Sequence, residues 1–191
     1  MSKINLPNKL TILRMFLVPI VMVFILYPSL CANNEILYAI VPAVLFILTA
    51  VTDFIDGKIA RSQNLVTNFG KFMDPVADKF MVIGALVSIT VANEALRPYM
   101  VWVSVAVIFR ELAVTSVRLI VSGDGIVVPA NWLGKCKTMT QSISIVVFLI
   151  EPLLWDFWFL SYIGMAATAL LTIWSGVNYI KEFWKYIDPT K

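Results

Sequence analysis

Four aspartates and a small set of cations carry the chemistry open to this chain. Asp53, Asp56, Gly57 and Ala60 follow the i, i+3, i+4, i+7 spacing of one helix face. Gly70, Asp74 and Asp78 follow i, i+4, i+8 and share a face of their own. Two such helices facing each other present two carboxylates each, and glycine and alanine leave room beside them. Carboxylates this close repel strongly unless cations neutralise them. The donors are all oxygen: the chain has no histidine, and neither Cys31 nor Cys136 lies near the aspartates. That donor set suits a hard divalent ion, Mg²⁺ or Mn²⁺, and not zinc. Two such ions form the common clamp for phosphoryl or nucleotidyl displacement. Arg110, Arg118 and Lys135 form a second, cationic set that would hold an anion, most naturally a phosphate.

The elements that position these groups follow from composition. Of 191 residues, 60% are hydrophobic and only 14% charged, against roughly half and about a quarter in soluble domains. The chain therefore reads as an integral membrane protein. Six spans of about 20 residues would use about 120 residues, which excludes a separate soluble catalytic domain. The expected fold is all-α, a single domain over 1–191 with six transmembrane helices. Three runs carry no charge: Met15–Asn34, Ile36–Thr52 and Phe157–Ile180. Three more, Phe80–Asn93, Pro98–Phe109 and Thr138–Ile150, reach spanning length only by taking charges inside the membrane, which is costly and usually functional. Asp74 and Asp78 enter the third span, Arg110, Glu111 and Arg118 the fourth, and Lys135 and Lys137 the fifth.

Six spans put both termini on one side. All of the 15 Lys and Arg residues except Arg97 fall on that side, which marks it as cytoplasmic. Trp155 and Trp158 flank the last outer turn, and Trp184 and Tyr186 the inner end, as interfacial aromatics do. Met1–Leu6 are expected to lie along the interface before Pro7 turns the chain inward. No signal-peptide cleavage site is evident, and Arg14 interrupts the first apolar run. Cys31 and Cys136 fall on opposite faces and are expected to be unpaired. The modest net charge of +3 indicates no nucleic-acid partner.

Helical rise places the four aspartates and three cations roughly 18–30 Å from the outer surface, in the inner third of the membrane, on four different helices. Plainer readings exist for single members. Arg110 and Glu111 could form a mere internal ion pair, Arg118 and Lys137 could snorkel to headgroups, and Lys181 and Lys185 read as positive-inside anchors. Gly84 and Ser88 fit a small-xxx-small helix contact.

Residues 53–78 read DFIDGKIARSQNLVTNFGKFMDPVAD and match D-x2-D-G-x2-A-R-x8-G-x3-D-x3-D at all eight fixed positions. This pattern resembles the signature of the CDP-alcohol phosphatidyltransferases, a family that also has six spans. PNKLTILR at 7–14, RELAVTSVR at 110–118 and NWLGKCKTMTQ at 131–141 resemble its phosphatidylglycerophosphate synthase branch, although GDGIVVPAN at 123–131 departs from the commoner form. The resemblance implies transfer of a phosphatidyl group from CDP-diacylglycerol to sn-glycerol 3-phosphate, with release of CMP, at the cytoplasmic face of a bacterial membrane by a homodimer. It implies Asp53, Asp56 and Asp74 as metal ligands, with Asp78 near the metals as general base. Asp56, Gly57, Ala60 and Arg61 would accommodate the CDP moiety, with Asn8, Thr11 and Arg14 at its nucleotide end. Arg110, Arg118 and Lys135 would grip the acceptor phosphate. Two alternatives stay open: another acceptor, phosphatidylglycerol or inositol phosphate, and an ion-coupled transporter, which would spread its acids across the membrane and repeat one half in the other.

Overall fold

The computed structural model describes residues 5–31, 34–62, 67–123, 132–155 and 157–186. The side chains of Asp56, Lys58, Ala60, Arg61, Ser62, Asn68, Lys71 and Lys185 lie outside that description. Six helices follow one another: α1 Leu6–Leu26, α2 Glu35–Ser62, α3 Asn68–Ala92, α4 Arg97–Gly123, α5 Trp132–Ile150 and α6 Phe159–Phe183. Short 3-10 turns at Pro28–Cys31, Glu151–Leu153 and Trp184–Tyr186 complete the described secondary structure, which contains no strand. All six helices are long and apolar enough to cross a bilayer. The chain is a multi-pass, all-α membrane protein, as its composition predicts.

The first span starts nine residues before the charge-free run that marks it in the sequence. The Asn5 side chain accepts the Asn8 N–H at 3.1 Å, and Pro7 sits in the first turn, where its missing N–H costs nothing. Pro7 is thus helical and not the turn expected there, Leu6 is already in the helix, and residues 1–4 lie outside the described ones. Helix α1 carries Lys9 and Arg14 with it. Arg14 is tolerated because it is fully buried and ion-paired with Asp53. The helix ends at Leu26 rather than Asn34, since Pro28 two residues on cannot continue it.

Helix α1 packs against α2 and α3, α4 against α3 and α6, and α5 against α6 and α2. The apolar core fills the end of the bundle away from the termini. Val18, Val21 and Ile25 of α1 meet Phe46 of α2, Leu86 and Ile89 of α3, Met100 and Val103 of α4, and Ile145 and Phe148 of α5. Gly84 belongs to this packing. A Cβ there would stand 2.9 Å from Met22 Sδ and 3.3 Å from Val18 Cγ1, so the small residue serves close approach of α1 to α3 within one chain. At the termini end a smaller cluster joins Val114, Val117 and Val121 of α4 to Tyr179 and Phe183 of α6.

One charged residue is structural and has no precursor among the sequence expectations. Glu151 is fully buried after α5, and its carboxylate accepts the N–H groups of Leu160 and Ser161, both at 2.7 Å, together with the Ser161 hydroxyl. It closes the N-terminus of α6, where unpaired N–H groups and the helix dipole favour an anion. Trp158, in the left-handed region at φ 37°, stacks on Phe148 with ring centres 4.9 Å apart and fixes the same turn. Cys31 and Cys136 are both free.

Candidate active site

Helices α1, α2 and α3 meet at the termini end, and the contacts of α1 set the carboxylates. Thr67 caps α3 by accepting the Gly70 N–H at 3.0 Å and donates its own hydroxyl to Asn8 Oδ1 at 3.0 Å. Gly70 permits this meeting, because a Cβ there would lie 3.2 Å from Asn8 Oδ1. Three residues along α1, Thr11 donates to Asp74 Oδ1 at 2.8 Å, with the Pro7 carbonyl a second acceptor at 3.1 Å. Three residues further, Arg14 Nη1 pairs with Asp53 Oδ1. Asn8, Thr11 and Arg14 therefore form one face of α1 that holds the aspartates from behind.

In front of those aspartates a cavity of about 640 Å³ opens, walled by α2 to α6. Asp53 enters from α2, Asp74 and Asp78 from α3, Arg110, Glu111 and Arg118 from α4, Lys135, Lys137 and Gln141 from α5, and Ser175 and Tyr179 from α6. Asp53, Asp74, Asp78, Arg110, Arg118 and Lys135, six of the residues singled out in the sequence, thus surround one space. Asn8, Thr11 and Arg14 are not in its lining. Gly57 is partly buried in α2 outside the lining, and Asp56, Ala60 and Arg61 are placed in α2 with their side chains outside the described residues. The 124–131 segment also lies outside them.

The cations divide by environment. Arg118 and Lys135 are exposed and make no ion pair among the described residues. Lys137 is buried and Arg110 largely so, and they share Glu111, which accepts from Arg110 Nη1 at 3.1 Å and from Lys137 Nζ. The internal pair of Arg110 and Glu111 is therefore real, and it stands in the cavity wall. Lys137 does not snorkel: its side chain is 5% exposed and turned into the bundle. Asp78 accepts no hydrogen bond from a described residue, and the charges acting on it are those of Asp53 and Glu111 against Lys137 and Lys79.

Helix spacing could have found the missed members. Gly134, Lys137 or Thr138, and Gln141 repeat at i, i+3 or i+4, i+7, so the buried face of α5 is written in the sequence. Gln141, four residues after Lys137 in a stretch that carries no charge up to Ile150, is the signal for that face.

The donor chemistry fits a hard divalent ion: the carboxylates of Asp53, Asp74 and Asp78 line the cavity beside that of Glu111, with no imidazole or thiolate among the lining residues. Among the described residues no three acidic side chains close round a single point, and the side chain of Asp56, the fourth carboxylate of the motif, is not among them. A carboxylate cluster facing a cation-lined wall can bind a polyphosphate on one side and a smaller anion on the other.

The sequence profile of the CDP-alcohol phosphatidyltransferases matches residues 4–174. The chain is 39% identical to the CDP-diacylglycerol–glycerol-3-phosphate 3-phosphatidyltransferase of Bacillus subtilis (strain 168), over 97% of this chain and 98% of that protein. It is 36% identical to a probable phosphatidylglycerophosphate synthase of Mycobacterium tuberculosis, over 92% and 80%. It is 32% identical to a CDP-diacylglycerol–glycerol-3-phosphate 3-phosphatidyltransferase of Rickettsia felis, over 95% and 97%. The chain belongs to the CDP-alcohol phosphatidyltransferase family. It is accordingly a membrane-embedded transferase of phospholipid biosynthesis, in a family that depends on divalent metal ions, and the transporter reading is set aside.

Proposed function

We propose that the protein transfers the phosphatidyl group of CDP-diacylglycerol to sn-glycerol 3-phosphate, giving phosphatidylglycerophosphate and CMP. The observation that carries this reading is the single cavity shared by Asp53, Asp74 and Asp78 and by Arg110, Arg118 and Lys135. The activities for which the Bacillus and Rickettsia relatives are named support the same acceptor.

Asp53, Asp56, Asp74 and Asp78 would hold Mg²⁺ or Mn²⁺, two ions by our reading. When bound, such ions neutralise the pyrophosphate and the charge of the departing CMP. Thr11 and Arg14 fix the orientation of Asp74 and Asp53. Gly57, Ala60 and Arg61 border the nucleotide, and Asn8, Thr11 and Arg14 support that end from behind the carboxylates. Arg118 and Lys135, exposed at the cavity mouth, and Arg110, held by Glu111, bind the phosphate of the acceptor. Asp78 takes the proton of the acceptor's C1 hydroxyl. The oxygen then bonds to the β-phosphorus of CDP-diacylglycerol, and the bond from that phosphorus to the bridging oxygen breaks, so that CMP leaves with the electron pair.

The excess of Lys and Arg at the termini end supports a cytoplasmic opening, which suits a lipid headgroup and a soluble anion arriving from the same side. Our reading includes a homodimer, on the family resemblance. Release of CMP from CDP-diacylglycerol by the purified protein in detergent with Mg²⁺ tests the proposal. Glycerol 3-phosphate, inositol phosphate, serine and phosphatidylglycerol are supplied in turn. Release with glycerol 3-phosphate alone, abolished by chelator, is expected. Release with another acceptor replaces the acceptor, and no release from folded protein refutes the chemistry.

A further inference from the structure

Gln141 is the last residue of the 131–141 segment, and nothing in the reaction described above uses it. It lines the cavity from α5, one helical turn beyond Lys137, and it is fully buried. Neither Nε2 nor Oε1 has a hydrogen-bond partner among the described residues. A buried amide atom left unpaired carries its full desolvation cost, and here both are unpaired. The Tyr179 hydroxyl, also buried in the cavity lining, likewise has no partner among the described residues.

The pattern of the missing bonds specifies the ligand. A phosphate or carboxylate oxygen only accepts, so it would satisfy Nε2 and leave Oε1 orphaned. An ammonium only donates and would do the reverse. An alcohol hydroxyl donates one bond and accepts others, and so completes both halves of the amide. Glycerol 3-phosphate has one hydroxyl to spare, at C2, since its C1 oxygen is the nucleophile and its phosphate faces the cations. Depth agrees with this order. Lys135 lies about 4–5 Å along α5 from Trp132 and Gln141 about 13–14 Å, so the amide is at the floor of the cavity and the phosphate grip at its mouth.

We propose that Gln141 is the specificity-determining residue that binds the C2 hydroxyl of the acceptor, with the Tyr179 hydroxyl facing the same space. This rests on glycerol 3-phosphate being the acceptor. The test compares sn-glycerol 3-phosphate with 3-hydroxypropyl phosphate, which keeps the nucleophilic hydroxyl and the phosphate and lacks only the C2 hydroxyl. The wild type is expected to favour glycerol 3-phosphate by about 100-fold or more in kcat/KM, because a site built to bond a hydroxyl rejects the analogue without it. In Gln141→Met, similar in length but without the amide, the activity with glycerol 3-phosphate falls to that with the analogue. The activity with the analogue changes less than about threefold, and the ratio approaches one.

A wild-type ratio near one overturns the proposal, as does a Met variant that loses both activities in parallel while remaining folded or that keeps the wild-type ratio, the result if the amide binds only water. If the Met variant does not fold, Gln141→Asn decides: a reduced ratio supports the assignment and an unchanged one overturns it. Failure of the acceptor assignment itself is seen separately, as wild-type CMP release with another alcohol and none with glycerol 3-phosphate.

Discussion

Replacing Glu111 by Gln keeps the shape of the cavity wall and removes the charge that holds Arg110 and Lys137 together. All three side chains are largely buried, at 13%, 13% and 5% exposure for Glu111, Arg110 and Lys137. At about 4 Å and an effective dielectric near 20, each lost attraction is about 4 kcal/mol before desolvation is counted. Breaking one partner out of a buried ion group typically costs about 3–5 kcal/mol, because the remaining charge stays buried and unpaired. Some of this is recovered as Lys137 moves toward Asp78, so about 3 kcal/mol is expected. At about 2–4 °C per kcal/mol for a chain of this length, the unfolding temperature in detergent should drop by about 6–12 °C. The double variant Glu111→Gln with Lys137→Met removes the orphaned ammonium and should recover about 2 kcal/mol, a non-additivity that a double-mutant cycle reads directly. Recovery of stability should not restore catalysis, since Arg110 still lacks its anchor and KM for the acceptor stays raised. An unfolding temperature within 2 °C of wild type in Glu111→Gln, or strict additivity in the cycle, would refute the triad as the support of the cation wall.

Other perturbations separate chemistry from support. Asp78→Asn should lower CMP release by about a thousandfold with the fold retained by circular dichroism; a nearly normal rate excludes it as the base. Thr11→Val removes the 2.8 Å bond to Asp74 and should raise the Mg²⁺ concentration for half-maximal activity by about tenfold, with the maximal rate approached at high Mg²⁺. A rate that does not depend on added Mg²⁺ would contradict that role. Glu151→Ala, at the far end of the bundle, should destabilise by about 2–3 kcal/mol through loss of charged hydrogen bonds to α6, leaving KM for both substrates unchanged in steady-state assays on folded protein.

The architecture was legible because apolar runs and charge asymmetry are set by the bilayer itself, and because the aspartates repeat at helical spacing. The ends of α1 were not: a charge-free run locates Met15–Asn34, yet the helix starts at Leu6, since Arg14 is neutralised by Asp53, 39 residues away in sequence. Glu111 and Lys137 were visible as charges within spans, but which way Lys137 points is decided by its pairing with a residue on another helix. The same limit applies to Asn8 and Thr11, whose partners Thr67 and Asp74 lie on or just before α3. Glu151 gave no signal at all, because a capping carboxylate is defined by the N–H groups that meet it, nine and ten residues further along.

Burial and pairing track one another through the site, and that relation indicates which groups are reserved for substrate. An isolated charge in the apolar interior of a bundle is expensive, so a buried charge without a partner is unstable unless a ligand completes it. Arg14 is fully buried and paired with Asp53; Lys137 is buried, Arg110 largely so, and the two share Glu111. Arg118 and Lys135 lack such partners among the described residues, and they are the two cavity cations that remain exposed, where solvent satisfies them until an anion arrives. The groups lining the cavity therefore divide into paired charges, Glu111 with Arg110 and Lys137, and a set whose bonding is incomplete: Asp78, Arg118, Lys135 and Gln141, joined by Arg110, whose buried Nε has no partner among the described residues. A proton-accepting carboxylate, three anion-binding cations and one hydroxyl-binding amide together complement a phosphorylated alcohol better than they complement each other.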